Sequence, residues 1–180
     1  MADFEQPDIV DEFYIPFVRP LGNLVITFAK AEAALLELVT ELKGGDESLA
    51  LSVLKADKAK EQILALIRDS IFQGFDLKEL VDGIESFWSD KERRNRYIHD
   101  EWYVGFYEEG NFLGTRGFPR KKNSSVVWGD PTPADVWNLA LSFQQHDYLF
   151  SATAYGLRKR RNPADHDEWS DPESGANSDS

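Results

Sequence analysis

The stretch Arg93-Arg94-Asn95-Arg96-Tyr97-Ile98-His99-Asp100-Glu101-Trp102 closes a long helical pattern and opens a strand-like one. Upstream of it, Leu77, Leu80, Val81, Ile84, Phe87 and Trp88 recur at three- and four-residue intervals, the spacing of one helix face. Asp76 and Glu79, three apart, read as a capping box at the start. Carried forward at about 100° per residue, the row passes through Lys91, Asn95 and Ile98, so the inward face turns polar near its C-terminal end. Asn95 and His99 are four apart and lie one above the other, with Arg94 beside Asn95. Polar groups on a buried face are costly unless they are paired or face a wet cleft. The same cations also suit the negative end of a helix dipole. The residues alone therefore leave a functional site and a decorated helix end both open.

Working outward toward the N-terminus, the pattern predicts helices over about Lys58–Gln73, capped by Asp57 and ended by Gly74, and over about Asp46–Lys55. A longer one is predicted from about Pro20 to Lys43. Its stripe is Leu21, Leu24, Val25, Phe28, Ala31, Leu35, Leu38, Val39 and Leu42, and Gly44-Gly45 supplies the stop. Glu32 borders that stripe, either as an exposed helix glutamate or as a carboxylate that holds Arg94 or orients His99. Lys58 either faces the site or is a solvated first-turn lysine. Residues 1–19 read as an irregular N-terminal arm, because Pro16 and Pro20 oppose a continuous helix. The arm's apolar residues suit docking on this bundle or on a second copy.

Toward the C-terminus, Trp102, Val104 and Phe106 alternate with Tyr103 and Tyr107, a period of two. Glu109-Gly110-Asn111 signals a turn, Phe112-Leu113 a return strand, and Ser125–Trp128 a third short strand. This small β insertion spans about 102–128. Thr132, Pro133 and Asp135 then open a last helix to about Arg160. Its stripe is interrupted by His146 and Asp147, which suit either a polar cavity or a wet edge. Asn162–Ser180 reads as an acidic disordered tail, where His166 with Asp165 and Asp167 is metal-like only by composition.

The length of 180 residues suits one domain. With no cysteine there is no disulfide framework and no thiolate metal site. No basic start followed by an apolar run marks a signal peptide, and no apolar run reaches membrane-spanning length. A cytoplasmic protein with no membrane partner is the expectation. The net charge of −12 argues against a nucleic-acid partner until its distribution is read. Residues 1–12 hold five acids and residues 162–180 six, with no Lys or Arg in either, which leaves the body close to neutral. The body's basic residues favour its second half: Arg93, Arg94, Arg96, Arg116, Arg120, Lys121, Lys122 and Arg158–Arg161. They suit a phosphate-facing surface or solvated loops and helix ends. Aromatics lie among Arg116, Arg120, Lys121 and Lys122; single-strand binders have that composition, but a half-buried hairpin packed on the bundle has it too and is the favoured account.

No Gly-rich phosphate loop, zinc-ligand spacing or nucleophile elbow occurs. A histidine beside an arginine suits RNA cleavage without a metal or cofactor, because the 2′-hydroxyl is the nucleophile. His99 can take or give a proton near neutrality, and Arg94 can hold the phosphate and offset charge on the five-coordinate phosphorus. Asn95 can fix the imidazole tautomer or bind a phosphate oxygen.

Arg94-Asn95, three residues, then His99 and a nearby aromatic resembles the signature of HEPN-domain proteins, and of HEPN-type ribonuclease toxins among them. Ala31-Glu32 on a long helix, Ala56-Asp57-Lys58 opening another with Ile63 and Leu66 behind it, and a β insertion before the last helix are similar to that family too. The resemblance covers about Leu21–Arg161. It implies an all-α, HEPN-like four-helix bundle with an extra short helix and a small β-hairpin insertion, occupying residues 20–161. It also implies a homodimer with a composite active site that cuts RNA without metal, leaving a 2′,3′-cyclic phosphate and a 5′-hydroxyl. Arg94, Asn95 and His99 would be catalytic, with Glu32, Asp100 and Arg93 in support and Arg96, Arg120, Lys121 and Lys122 contacting RNA. The setting would be a toxin or defence effector, with an antitoxin protein as a further partner. Members with a nucleotidyltransferase antitoxin often carry tyrosine two residues after the histidine; Glu101 stands there, and the nearest tyrosine is Tyr103. The alternatives are a non-catalytic module of the same shape that binds RNA, nucleotide or a partner protein, and a structural protein acting through its two ends.

Overall fold

The computed structural model describes residues 9–70, 77–107, 110–117 and 127–163. Five helices and a small sheet follow in order: α1 (Ile9–Leu42), α2 (Glu47–Leu54), α3 (Ala59–Asp69), α4 (Leu77–His99), β1 (Glu101–Tyr107), β2 (Gly110–Gly117), β3 (Val127–Gly129) and α5 (Pro133–Arg161). The described chain is thus mainly helical, with the sheet placed before the last helix as expected. The strands form one antiparallel sheet in the order β1-β2-β3, with Trp102 opposite Thr115 and Thr115 opposite Gly129. The expected Asp76 cap, the Gly74 stop, Arg120, Lys121, Lys122 and the 164–180 tail lie outside the described residues.

The first helix departs from expectation. It does not begin near Pro20 but runs unbroken from Ile9, with Pro16 and Pro20 inside it, so at least residues 9–19 are not an irregular arm. Each proline removes one backbone donor and crowds the carbonyl four residues earlier, at about 3 kcal/mol. Burial offsets that cost. Phe13, Phe17, Pro20, Leu21 and Leu24 keep helical spacing and face inward, and Phe17 packs edge-on against Trp102 with ring centroids 5.1 Å apart.

α1 and α5 run side by side in the same direction: Arg19 lies over the Trp137 ring near their starts, and Arg158 bonds Glu41 near their ends. α4 runs the other way against both. The three helices meet in an aromatic centre of Phe28, Phe87, Phe143 and Phe150. Short α2 and α3 cover one side with Ala50, Val53, Ile63, Leu64 and Ile67.

The punctuation is local chemistry. Gly44 and Gly45 take φ of +71° and +93°, and the Gly45 N–H reaches back to the Thr40 carbonyl at 2.8 Å. Asp46 caps α2 through its carboxylate. Asp57 does not cap α3: the cap position is Lys58, with no side-chain bond to the helix start. Thr132 and Asp135 form a reciprocal capping box, with Pro133 in the first turn of α5. Those bonds from the Thr132 side chain and backbone hold the Asp135 carboxyl below its ordinary pKa. Among the described residues no helix is long and apolar enough to cross a membrane.

Candidate functional site

The end of α4 places the expected residues on different faces. Arg94 points toward α1. Its guanidinium carbon sits 4.3 Å over the Phe28 ring, and its Nη1 donates to Asn95 Oδ1 at 3.1 Å. A planar cation against an aromatic face is an oriented contact. Arg94 Nε is buried and makes no hydrogen bond among the described residues. His99 is the last residue of α4 and is exposed. Five residues of helix turn it about 140° from Arg94, so the two share a helix end but not a face.

The supporting assignments change. Glu32 does not hold Arg94 or orient His99; it is exposed and pairs with Lys91 at 2.8 Å. The reason is register: Lys91, one turn before Arg94, comes level with Glu32, whereas Arg94 comes level with Phe28. Asn95 spends its carbonyl on Arg94 rather than on the imidazole. Asp100 turns its carboxylate to Gly117, where an added Cβ would lie 2.7 Å from it. Arg93 pairs with Asp90 at 3.5 Å, and Arg96 is exposed. Lys58 is exposed.

The expected basic surface is thinner than the sequence suggests. Arg116 pairs with Glu101, and Arg158 and Arg161 both pair with the buried carboxylate of Glu41 at 2.9 and 2.8 Å. Arg158 also donates to Glu37 at 3.3 Å, and its bonds to Glu41 and Glu37 raise its pKa. Arg94, by contrast, has no carboxylate partner among the described residues.

A polar cluster that sequence reading did not assemble lies one turn earlier. Asp90 of α4 and His146 of α5 are both buried. Ser142 Oγ donates to Asp90 Oδ2 at 2.5 Å, and His146 Nε2 lies 3.1 Å from the same oxygen. The imidazole is packed by Phe87, Phe143 and Phe150. Burial pushes the Asp90 carboxyl up, but bonds from His146 and Ser142, with Arg93 nearby, outweigh it and hold it below its ordinary value. This is not a nucleophile relay, since one ring nitrogen faces both the serine and the carboxylate. Its signal was available in each helix separately: Asp90 follows Leu80, Ile84 and Phe87 on the core row, and His146 follows Leu139 and Phe143. Asp147, its neighbour, bonds Ser151 instead.

Among the described residues, a larger and a smaller cleft flank α4. The larger, about 880 Å³, lies between the first half of α4 and α5 and is lined by Glu79, Ser86, Ser142, His146 and Tyr148. The smaller, about 200 Å³, is lined by Arg93, Arg96, Tyr97, Thr115 and Asp135. Neither takes in Arg94 or His99. Comparison of the chain with protein-family models, with curated proteins and with solved structures finds no match.

Proposed function

We propose that the chain is a metal-independent RNA endonuclease of HEPN type, acting as a homodimer, in the role of a toxin or defence effector countered by an antitoxin protein. One observation supports it above the rest. Arg94 is half-buried, oriented over Phe28 and held by Asn95, yet no carboxylate neutralises it among the described residues, while Arg93, Arg116, Arg158 and Arg161 are all paired. An oriented guanidinium with donors to spare suits a phosphate.

The reaction needs a base to take the 2′-hydroxyl proton and an acid to protonate the departing 5′-oxygen. His99 can do either, and its exposure leaves it open to substrate. Attack of the 2′-oxygen on phosphorus breaks the bond to the 5′-oxygen, giving a 2′,3′-cyclic phosphate and a 5′-hydroxyl. One chain supplies one such histidine; a two-fold dimer sets two facing each other, with each Arg94 offsetting charge on phosphorus. Arg96, Arg120, Lys121 and Lys122 would contact RNA.

The test is cleavage of a mixed RNA pool in EDTA, wild type beside His99→Ala, with product ends analysed. Cyclic-phosphate ends from wild type alone are expected. Equal cleavage by both would overturn the role of His99, and binding without cleavage in both would favour a non-catalytic module of the same shape.

A further inference from the structure

One face of α1 is apolar and uncovered. Ile15, Val18, Val25 and Ile26 are 55, 66, 44 and 57 % exposed. Gly22 and Ala29 are exposed on the same face. These six recur at three- and four-residue spacing, opposite the row that packs into the core. A continuous apolar strip of a few hundred Å² marks an interaction surface rather than scattered surface residues. At its centre Gly22 is open: a Cβ built there meets nothing within 4 Å.

Two of the charges beside the strip say what covers it; Arg19, exposed on the same edge, is turned over the Trp137 ring of α5. Glu12 and Lys30 stand nine residues before and nine after Leu21. They are eighteen apart, which is five turns of helix, so they lie on one edge of the strip, equidistant from the level of Leu21, one residue from Gly22. Both are exposed, and neither has an ion-pair partner among the described residues. When two identical helices pack antiparallel about a two-fold axis, the same edge of each meets, and residues equidistant from the centre face each other. Glu12 of each copy then meets Lys30 of the other, twice per dimer, with small Gly22 near the axis where the backbones approach.

We infer that α1 is the homodimer interface, packed antiparallel on its own copy through the Ile15–Ala29 strip, with crossed Glu12–Lys30 pairs fixing the register. The inference rests on the two-copy arrangement proposed above and not on RNA cleavage. It also places the partner near the site: Glu32, seven residues after Val25 and so on the same side of α1, is the residue that bonds Lys91 of α4, one turn before Arg94.

The experiment is sedimentation velocity over a concentration series. Wild type is expected to be a dimer. Glu12→Lys and Lys30→Glu should each weaken it about tenfold, and the double exchange should restore it. Gly22→Leu should give a monomer with unchanged helical circular dichroism, since the new side chain enters open space and glycine is a poor helix former. A wild-type dimer insensitive to Gly22→Leu and to both charge reversals would overturn the interface while leaving a composite site elsewhere intact. A wild-type monomer at about 100 μM would overturn both. A dimer that obeys the charge exchange but cuts no RNA would support the interface and sink the nuclease reading.

Discussion

Asp90 and His146, 56 residues apart in the chain, meet at 3.1 Å in the buried space between α4 and α5. The contact fixes the rotation of α4 about its own axis, because the carboxylate must face α5 while Phe87, one turn back, faces the aromatic centre. That rotation aims Arg94 at Phe28 and leaves His99 outside. The cluster is thus a positioning device for the end of α4.

Removing one partner of a buried pair leaves the other uncompensated, at a cost of about 3–5 kcal/mol. His146→Ala should lower the urea unfolding free energy by that order. In a double-mutant cycle with Asp90→Ala the two losses should fall well short of adding. Additive losses would mean that the two groups act independently.

The Asp90 carboxyl titrates below its unfolded value of about 3.9. The folded state therefore binds fewer protons than the unfolded one between those two pKa values. Its stabilisation is fully present above the unfolded value and is lost as pH falls through the folded one. Unfolding free energy measured from pH 7 down to pH 2 should fall in the acid range, and Asp90→Asn should flatten that fall. Asp135 and Asp46 shift the same way at exposed caps and should leave a residual slope.

Asn95 offers a sharper test of Arg94 than deletion does. Asn95→Ala frees the guanidinium and should reduce the cleavage rate about tenfold with little change in KM. Asn95→Asp supplies a carboxylate next to Arg94 at almost the same volume. If Arg94 holds phosphate, Asn95→Asp should cost as much activity as Arg94→Ala, with circular dichroism unchanged.

The end of α1 gives a paired prediction. Gly44→Ala meets nothing within 4 Å and should cost only the left-handed backbone, about 1 kcal/mol. Gly45→Ala also meets Arg161 Nη1 at 2.7 Å and should cost more, by disturbing the Arg161–Glu41 pair. In an Arg161→Ala background the two substitutions should converge in thermal unfolding.

Features governed by local rules were legible in the sequence. The α4 and α5 stripes, the Gly44-Gly45 stop, the Thr132–Asp135 box and the alternation over Trp102–Phe106 each follow from residues within a few positions of one another. What required the third dimension was not legible. The prolines of α1 outweighed its apolar spacing in the sequence reading because the burial of Phe17 against Trp102 depends on a contact 85 residues away. Glu32 matched the expected acidic position in type, but its partner depends on how far α4 slides along α1, and one turn decides between Lys91 and Arg94. The Arg94–Phe28 contact carries no sequence signal, since a ring that packs the core is spelled no differently from one that also carries a cation.

Pro16 and Pro20 have a further consequence. Pro20 cannot donate to the Pro16 carbonyl, nor Pro16 to that of Glu12, so two successive links are missing from the ladder that would couple the first turns of α1 to the rest. Those turns can then open as a unit of their own, below the free energy of global unfolding, and their amides should exchange with deuterium faster than those after Leu24. They also carry Glu12 and Ile15, one end of the inferred dimer strip. Assembly would protect them, and the lifetime of the dimer would follow how often this short segment lifts away, a kinetic property written into the helix by two residues that touch no partner.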